Sequence, residues 1–136
     1  MTLRPDTAIS KILFSILFMI IISSCFANEK GDQILGVWLM ANKNVKVQIY
    51  KINNQYEGKV VWMDTDTNKK NFQMGEKVID QMEYDPNSSK YRKGHFYGRG
   101  YKLDCELRLV EPDRLEITVS KGPLKQVRYS TRVKSL

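Results

Sequence analysis

The side chains that could carry chemistry in this chain are few. There is one histidine, so an acid–base relay has a single candidate, His95. Ser88 and Ser89 lie in a turn-like run, and nothing near them marks a nucleophile with a positioned base. Cys105 is in phase with Leu103 and Leu107, which predicts a buried thiol acting as a small hydrophobe. A reactive thiol needs a basic, partly exposed setting, and the neighbouring residues supply none. Metal-ligand spacing of Cys and His is absent. Asp64, Asp66 and Asn68 reproduce the first three ligand positions of a calcium loop. Such a loop also needs Gly sixth and a bidentate Glu twelfth, where Lys69 and Gly75 stand, so the run reads as a polar surface loop. His95, beside Phe96 and Tyr97, reads as a strand residue. These residues argue against an enzyme, and no metal or cofactor is expected.

The elements around them are strands. Val45, Val47 and Ile49 alternate with Lys46, Gln48 and Tyr50, the period-two signature of a half-buried strand. Tyr56, Gly58, Val60 and Trp62 fall on one face of the next run, and Asn53-Asn54 between the two suits a tight hairpin. Further runs cover Val78 to Tyr84 and Tyr91 to Tyr97. Tyr101, Leu103, Cys105, Leu107 and Leu109 then alternate strictly with charged residues, as do Leu115, Ile117 and Val119 with polar ones. Val127, Tyr129, Thr131 and Val133 form the last run, with Arg128 and Arg132 on the opposite phase. Asp85 to Ser89, Gly98 to Gly100, Glu111 to Asp113 and Lys121 to Pro123 are turns by composition.

The fold class predicted is all-β: about eight antiparallel strands closed into an up-and-down barrel. A two-sheet sandwich is the alternative from periodicity alone. The inner face of such a barrel nominates Val47, Ile49, Tyr56, Val60, Trp62, Leu103 and Leu107 as lining for a small apolar or amphipathic ligand. The competing reading is a filled, ligand-free barrel that acts as a structural or interaction lipoprotein. Its outward Tyr50, Met63 and Lys/Arg ridge would meet the partner.

The amino end points to export. Arg4 and Lys11 precede an apolar run, Ile12 to Ile22, followed by Ser23 and Ser24: a charged region, an apolar region of secretory length and a small-residue cleavage neighbourhood. The run is short of the roughly 20 apolar residues of a transmembrane helix, and no other stretch approaches that length. Ile22-Ser23-Ser24-Cys25 resembles a lipobox, which implies cleavage before Cys25 and acylation of its thiol; cleavage after Ala27 is the alternative. The expected organisation is a signal peptide over 1–24, a tether over 25–33 and a barrel over 34–134. The protein would be a lipoprotein of the bacterial envelope facing the periplasm, or periplasmic or secreted if Cys25 is not acylated. The whole chain of 136 residues carries a formal charge of +7; removing residues 1–24 leaves 20 basic and 14 acidic groups, a balance of +6. For an exported protein the matching anions are lipid headgroups and envelope polysaccharides rather than nucleic acid. The oligomeric state is left open.

Two resemblances follow from these residues. Gly36-Val37-Trp38 at the first strand and Arg132 near the end of the last are similar to the lipocalin and fatty-acid-binding barrels. That resemblance implies a floor sealed by a basic side chain over the Trp38 ring, by a cation–π contact. Arg132 is out of phase with Val127 and Tyr129, so this floor requires a bulge or an opposite facing of the last strand. More specifically, Gly36-Val37-Trp38-Leu39, Val47-Gln48-Ile49-Tyr50-Lys51, Tyr56 to Met63, Gly94-His95-Phe96-Tyr97, Gly100, Cys105 and Thr131-Arg132-Val133 recur in an order that resembles the bacterial domain-of-unknown-function family 2147. This resemblance implies an exported lipocalin-like barrel and supplies no activity. The family's polar stretch after its third strand is missing from Asp64 to Gln73, and Ser130 stands where the family has tryptophan.

Overall fold

Alternation of apolar and polar side chains becomes eight strands: β1 (Gly36–Leu39), β2 (Val45–Ile52), β3 (Gln55–Met63), β4 (Lys77–Asp85), β5 (Lys90–Gly98), β6 (Tyr101–Glu111), β7 (Arg114–Lys121) and β8 (Leu124–Val133). Each pairs antiparallel with the next, and β8 returns to β1, closing the sheet into a barrel. Closure gives every strand a neighbour on both sides, removing the open edges that are the standing liability of a sheet, although β8 meets β1 only through Thr131 to Val133. This computed structural model describes residues 30–42, 44–64, 72–98 and 100–134. Gln33–Leu136 form one compact unit; the other, Met1–Asp32, lies almost wholly outside the described residues, as does Cys25 with the proposed leader. Residues 65–71, which hold most of the calcium-like run, lie outside them too. Among the described residues no helix is long and apolar enough to cross a membrane.

The turns are built by the residues that tolerate them. Asn53 and Asn54 both take positive φ (50° and 62°) between paired Ile52 and Gln55, as a two-residue hairpin of matching twist requires. Gly122-Pro123 joins Lys121 to its partner Leu124, with Gly122 at φ 58° in the first central place and proline supplying a fixed negative φ after it. The segment read as a tether ends in a short 3-10 turn, Gly31–Ile34, and Ile34 is fully buried.

Two facings differ from the alternation read in the sequence. On β3 the partners of Val47 and Lys46 are Val60 and Trp62, so one extra residue, Val61, is inserted there. Such a bulge flips the strand beyond it to the other face. Trp62 is therefore 41% exposed on the outside with the Lys46 ammonium 5.0 Å from its ring centre, while Met63 turns in against the core. Trp62 is not a lining residue, and Met63 is not an outward one. Tyr50 is half-buried, its hydroxyl donating to Glu57 at 2.9 Å. On β8 the inward phase is the polar one. Ser130 is buried, whereas Val127 and Tyr129 are exposed. The cause is register: Leu115, Ile117 and Val119 pair with Ser130, Arg128 and Gln126, and directly paired residues share a face.

Candidate functional site

The barrel interior is divided along its axis. Toward the end carrying the β2–β3, β4–β5 and β6–β7 turns it is solid. Ile34, Trp38, Ile49, Tyr56, Met82, Tyr91, Leu107 and Leu115 are buried there. Tyr91 stacks edge-on to Tyr56 (centroids 5.2 Å apart) and lies against Tyr84 at 5.0 Å, the offset geometries that aromatic quadrupoles favour. The floor is closed by Arg132, the direct partner of Trp38 across β1 and β8. Its guanidinium lies 4.3 Å over the Trp38 ring and donates to the carbonyls of Leu35 (2.7 Å), Gln33 (2.6 Å) and Pro112 (3.1 Å), with Asp113 at 3.5 Å. Trp38 in turn donates its indole N–H to Ile34 at 2.9 Å. Gly36 stands where an added Cβ would come within 2.8 Å of the Arg132 Nη1, so the absent side chain leaves the guanidinium its path.

Toward the other end lies a cavity of about 620 Å³. Its walls are mostly apolar: Met40 and Ala41 after β1, Val45 and Val47 on β2, Phe72 and Val78 before and on β4, Phe96 on β5, Tyr101 and Leu103 on β6, Ile117 and Val119 on β7. Polar groups enter chiefly from β8, as Gln126, Arg128 and Ser130, with Asn42 beside them. The exposed lining residues, among them Ala41, Asn42, Tyr101 and Gln126, place its opening among the loops of that end. Of the seven lining residues nominated from sequence, Val47 and Leu103 border the cavity. Ile49, Tyr56, Val60 and Leu107 belong to the solid core, and Trp62 faces outward. The polar trio on β8 escaped the sequence reading. A signal for it existed: a two-residue turn at Gly122-Pro123 commits the even positions of β8 to the face of Leu115, Ile117 and Val119.

A second cluster sits outside. Asp80, His95 and Asp104 align in one row across β4, β5 and β6. The His95 Nδ1 is 3.6 Å from Asp80 and its Nε2 3.9 Å from Asp104, and Tyr97 donates to Asp80 at 3.3 Å. Among the described residues no hydroxyl or thiol is hydrogen-bonded to His95, so the row lacks a nucleophile to activate. No group of three or more His, Cys, Asp or Glu among them could hold a metal ion.

Cys105 faces inward and is buried. Burial, with the Glu106 carboxylate adding to it, pushes its thiol from an ordinary 9.0 up to about 12. Burial first, then the hydrogen bond and charge of Glu57, likewise push Tyr50 from 10.0 up to about 12. An acid whose folded pKa is raised stabilises the fold fully below its unfolded pKa and loses that contribution as pH climbs toward the folded value. The urea midpoint is therefore expected to hold to pH 9 and fall progressively between pH 9 and 12, with Cys105→Ala removing part of the fall. Iodoacetamide at pH 8 should label Cys105 only as the protein unfolds; rapid labelling of the native protein would contradict this placement.

Eight antiparallel strands closed over an apolar interior, with Trp38 held under Arg132 at one end, define a lipocalin-like barrel. A solved structure carries the same fold: Protein HP1028 from the human pathogen Helicobacter pylori, described as belonging to the lipocalin family, aligns with a TM-score of 0.61 at 14% identity, over 75% of this chain and 84% of that one. The family described as "Uncharacterized protein conserved in bacteria (DUF2147)" matches residues 36–128, and the chain belongs to it. Among curated proteins none matches this chain.

Proposed function

We propose that this protein is an exported binding barrel that holds a small apolar or amphipathic molecule in its open half and is tethered to the bacterial envelope through acylated Cys25. The cavity carries this reading. Its volume of about 620 Å³ falls within the roughly 300–1,000 Å³ of small-molecule sites, and its mostly apolar wall with a few convergent polar groups is the usual composition of such a site. A barrel filled throughout would support the interaction-lipoprotein reading instead, and the open half counts against it. Binding is favoured over catalysis because the one histidine lies on the outer surface and, among the described residues, no nucleophile is bonded to it. The lipobox-like run ending at Cys25 supports export and anchoring.

Native mass spectrometry of the protein purified from its own membranes tests both halves. The expected spectrum has a mature chain beginning at Cys25, heavier by a diacylglyceryl group, with a non-covalent small molecule that leaves on activation. A chain beginning after Ala27 would refute the anchor. A ligand-free protein that also takes up no apolar dye would refute the binding role.

A further inference from the structure

The last strand outruns its neighbour. β1 ends at Leu39, the partner of Thr131, so β8 from Leu124 to Ser130 pairs with β7 alone. The direction of its backbone bonds follows from the hairpin. Lys121 and Leu124 flank a two-residue turn and form a hydrogen-bonded pair, and in an antiparallel ladder such pairs recur at every second residue. Gln126, Arg128 and Ser130 therefore bond to β7, whereas Lys125, Val127 and Tyr129 aim their N–H and C=O groups the other way. The same parity holds further along, where Thr131 and Val133 meet Leu39 and Val37 of β1. Among the described residues no backbone hydrogen bond is made on the outer edge of Lys125, Val127 and Tyr129. Leu124 to Tyr129 are all exposed, and so are Ala41 and Asn42 across the cavity mouth, which leaves this edge open to solvent.

From this we propose that the edge pairs with the same edge of a second copy of the chain, β8 against β8, antiparallel about Val127. It does so whatever the cavity binds. Backbone groups left single along a strand are a template for another strand, and edges that stay single are guarded by charge, proline or a bulge. Lys125 is the one charged side chain on the outward phase of this stretch, and Val127 and Tyr129 beside it are 45% and 42% exposed. A twofold axis at Val127 sets Val127 opposite itself and Lys125 opposite Tyr129 of the second copy. Every free backbone group of the three residues then finds a partner. An axis at Lys125 would oppose two ammonium groups. An axis at Gln126 would bring Tyr129 against Pro123, which has no N–H, and one at Arg128 would bring Lys125 against Thr131, which β1 already holds. The side chains agree with the Val127 axis, because directly paired residues share a face. An ammonium then meets an aromatic ring, valine meets valine, and on the inward face Arg128 meets the uncharged Gln126. Tyr129 is already held in place, with Arg114 at 4.2 Å over its ring and its hydroxyl donating to Glu116 at 3.3 Å. No like charges are opposed across the axis, although each copy is basic overall, and this self-complementarity is what favours a second copy over a foreign strand.

Sedimentation velocity of the purified mature protein at about 10 µM and about 500 µM, in one detergent throughout, tests association, with Val127→Pro beside it. Because the Val127 N–H points away from β7, proline removes no bond of that ladder, and circular dichroism checks the fold. The native protein is expected to move from monomer toward dimer across that range. Val127→Pro is expected to weaken the dimer at least about tenfold, the scale of two lost hydrogen bonds. Register is read by air oxidation of two single variants. Val127→Cys should give a disulfide-linked dimer, since its Cα atoms would lie about 5.5 Å apart across the axis. Lys125→Cys should not, since its two copies would lie about 14 Å apart along the strand. The native protein, with Cys105 buried, sets the background. A native protein that stays monomeric would overturn the proposal, even with its edge amides protected from hydrogen exchange, because another segment or a peptide would then cover them. A dimer that Val127→Pro leaves intact would overturn the assignment to this edge. No trapping of Val127→Cys, or trapping no stronger than that of Lys125→Cys, would overturn the register.

Discussion

Replacing Arg132 with methionine is expected to lower the unfolding free energy by about 3 kcal/mol, through loss of its charge-assisted bonds to carbonyls and of its stacking on an indole. The side chain closes the floor from one position on β8, joining the carbonyls of Gln33, Leu35 and Pro112 to the face of Trp38. Methionine fills similar volume and keeps apolar contact with the ring, so the loss reports the polar bonds rather than a hole. The carbonyl of Leu35, part-buried where the guanidinium reaches it, is then left short of a donor. Arg132→Lys keeps the charge but not the planar fork, and is expected to recover less than half the loss. Urea unfolding would show a lower midpoint at unchanged slope. A loss below about 1 kcal/mol would mean that water replaces the arginine easily and that the floor is not a stabilising device.

A change of one methyl group should have an effect of similar size. At Gly94, on β5, an added Cβ would collide with the Met82 sulfur and come within 2.5 Å of the Asp80 carbonyl oxygen. The sulfur can swing aside, but the carbonyl belongs to a paired strand and cannot. The residue before it, Lys93, already takes a positive φ of 64° at the irregularity where the β5–β6 register shifts. Gly94→Ala is therefore expected to destabilise by about 3 kcal/mol, the upper end for an overpacked core. Gly100→Ala is the control. Nothing lies within 4 Å of its added Cβ, and only its φ of 78° resists substitution, for about 1 kcal/mol. Thermal unfolding of the two variants side by side decides the matter; a Gly94→Ala loss no greater than that of Gly100→Ala would show that β4 yields to the methyl group.

Strand identity was written into single stretches of chain. Leu103, Cys105 and Leu107 against Lys102, Asp104 and Glu106 specify a two-faced strand without help from any neighbour, because a strand's side chains alternate whatever it pairs with. Asn53-Asn54 and Gly122-Pro123 are likewise local, since a turn is decided by which residues accept its φ values. From these the number of strands and their antiparallel order were legible, whereas periodicity alone left a two-sheet sandwich beside the closed barrel. Which face of a strand turns inward was not a local property. For Trp62 it depended on one residue inserted against β2, and for Arg128 on the pairing with Ile117. Apolar character pointed the wrong way at both, because register with the neighbouring strand outweighs the hydrophobicity of a few side chains. The same holds for the cavity: the residues that fill one end of the barrel and those that border the open end alternate alike in sequence. By itself, then, the sequence determined the strands and their turns, and the pairing of β8 with β1 decided for the barrel over the sandwich. Only the tertiary structure decided that Arg128 faces the cavity and Trp62 faces water, because the inside of a barrel is defined by pairing between strands and not within any one of them.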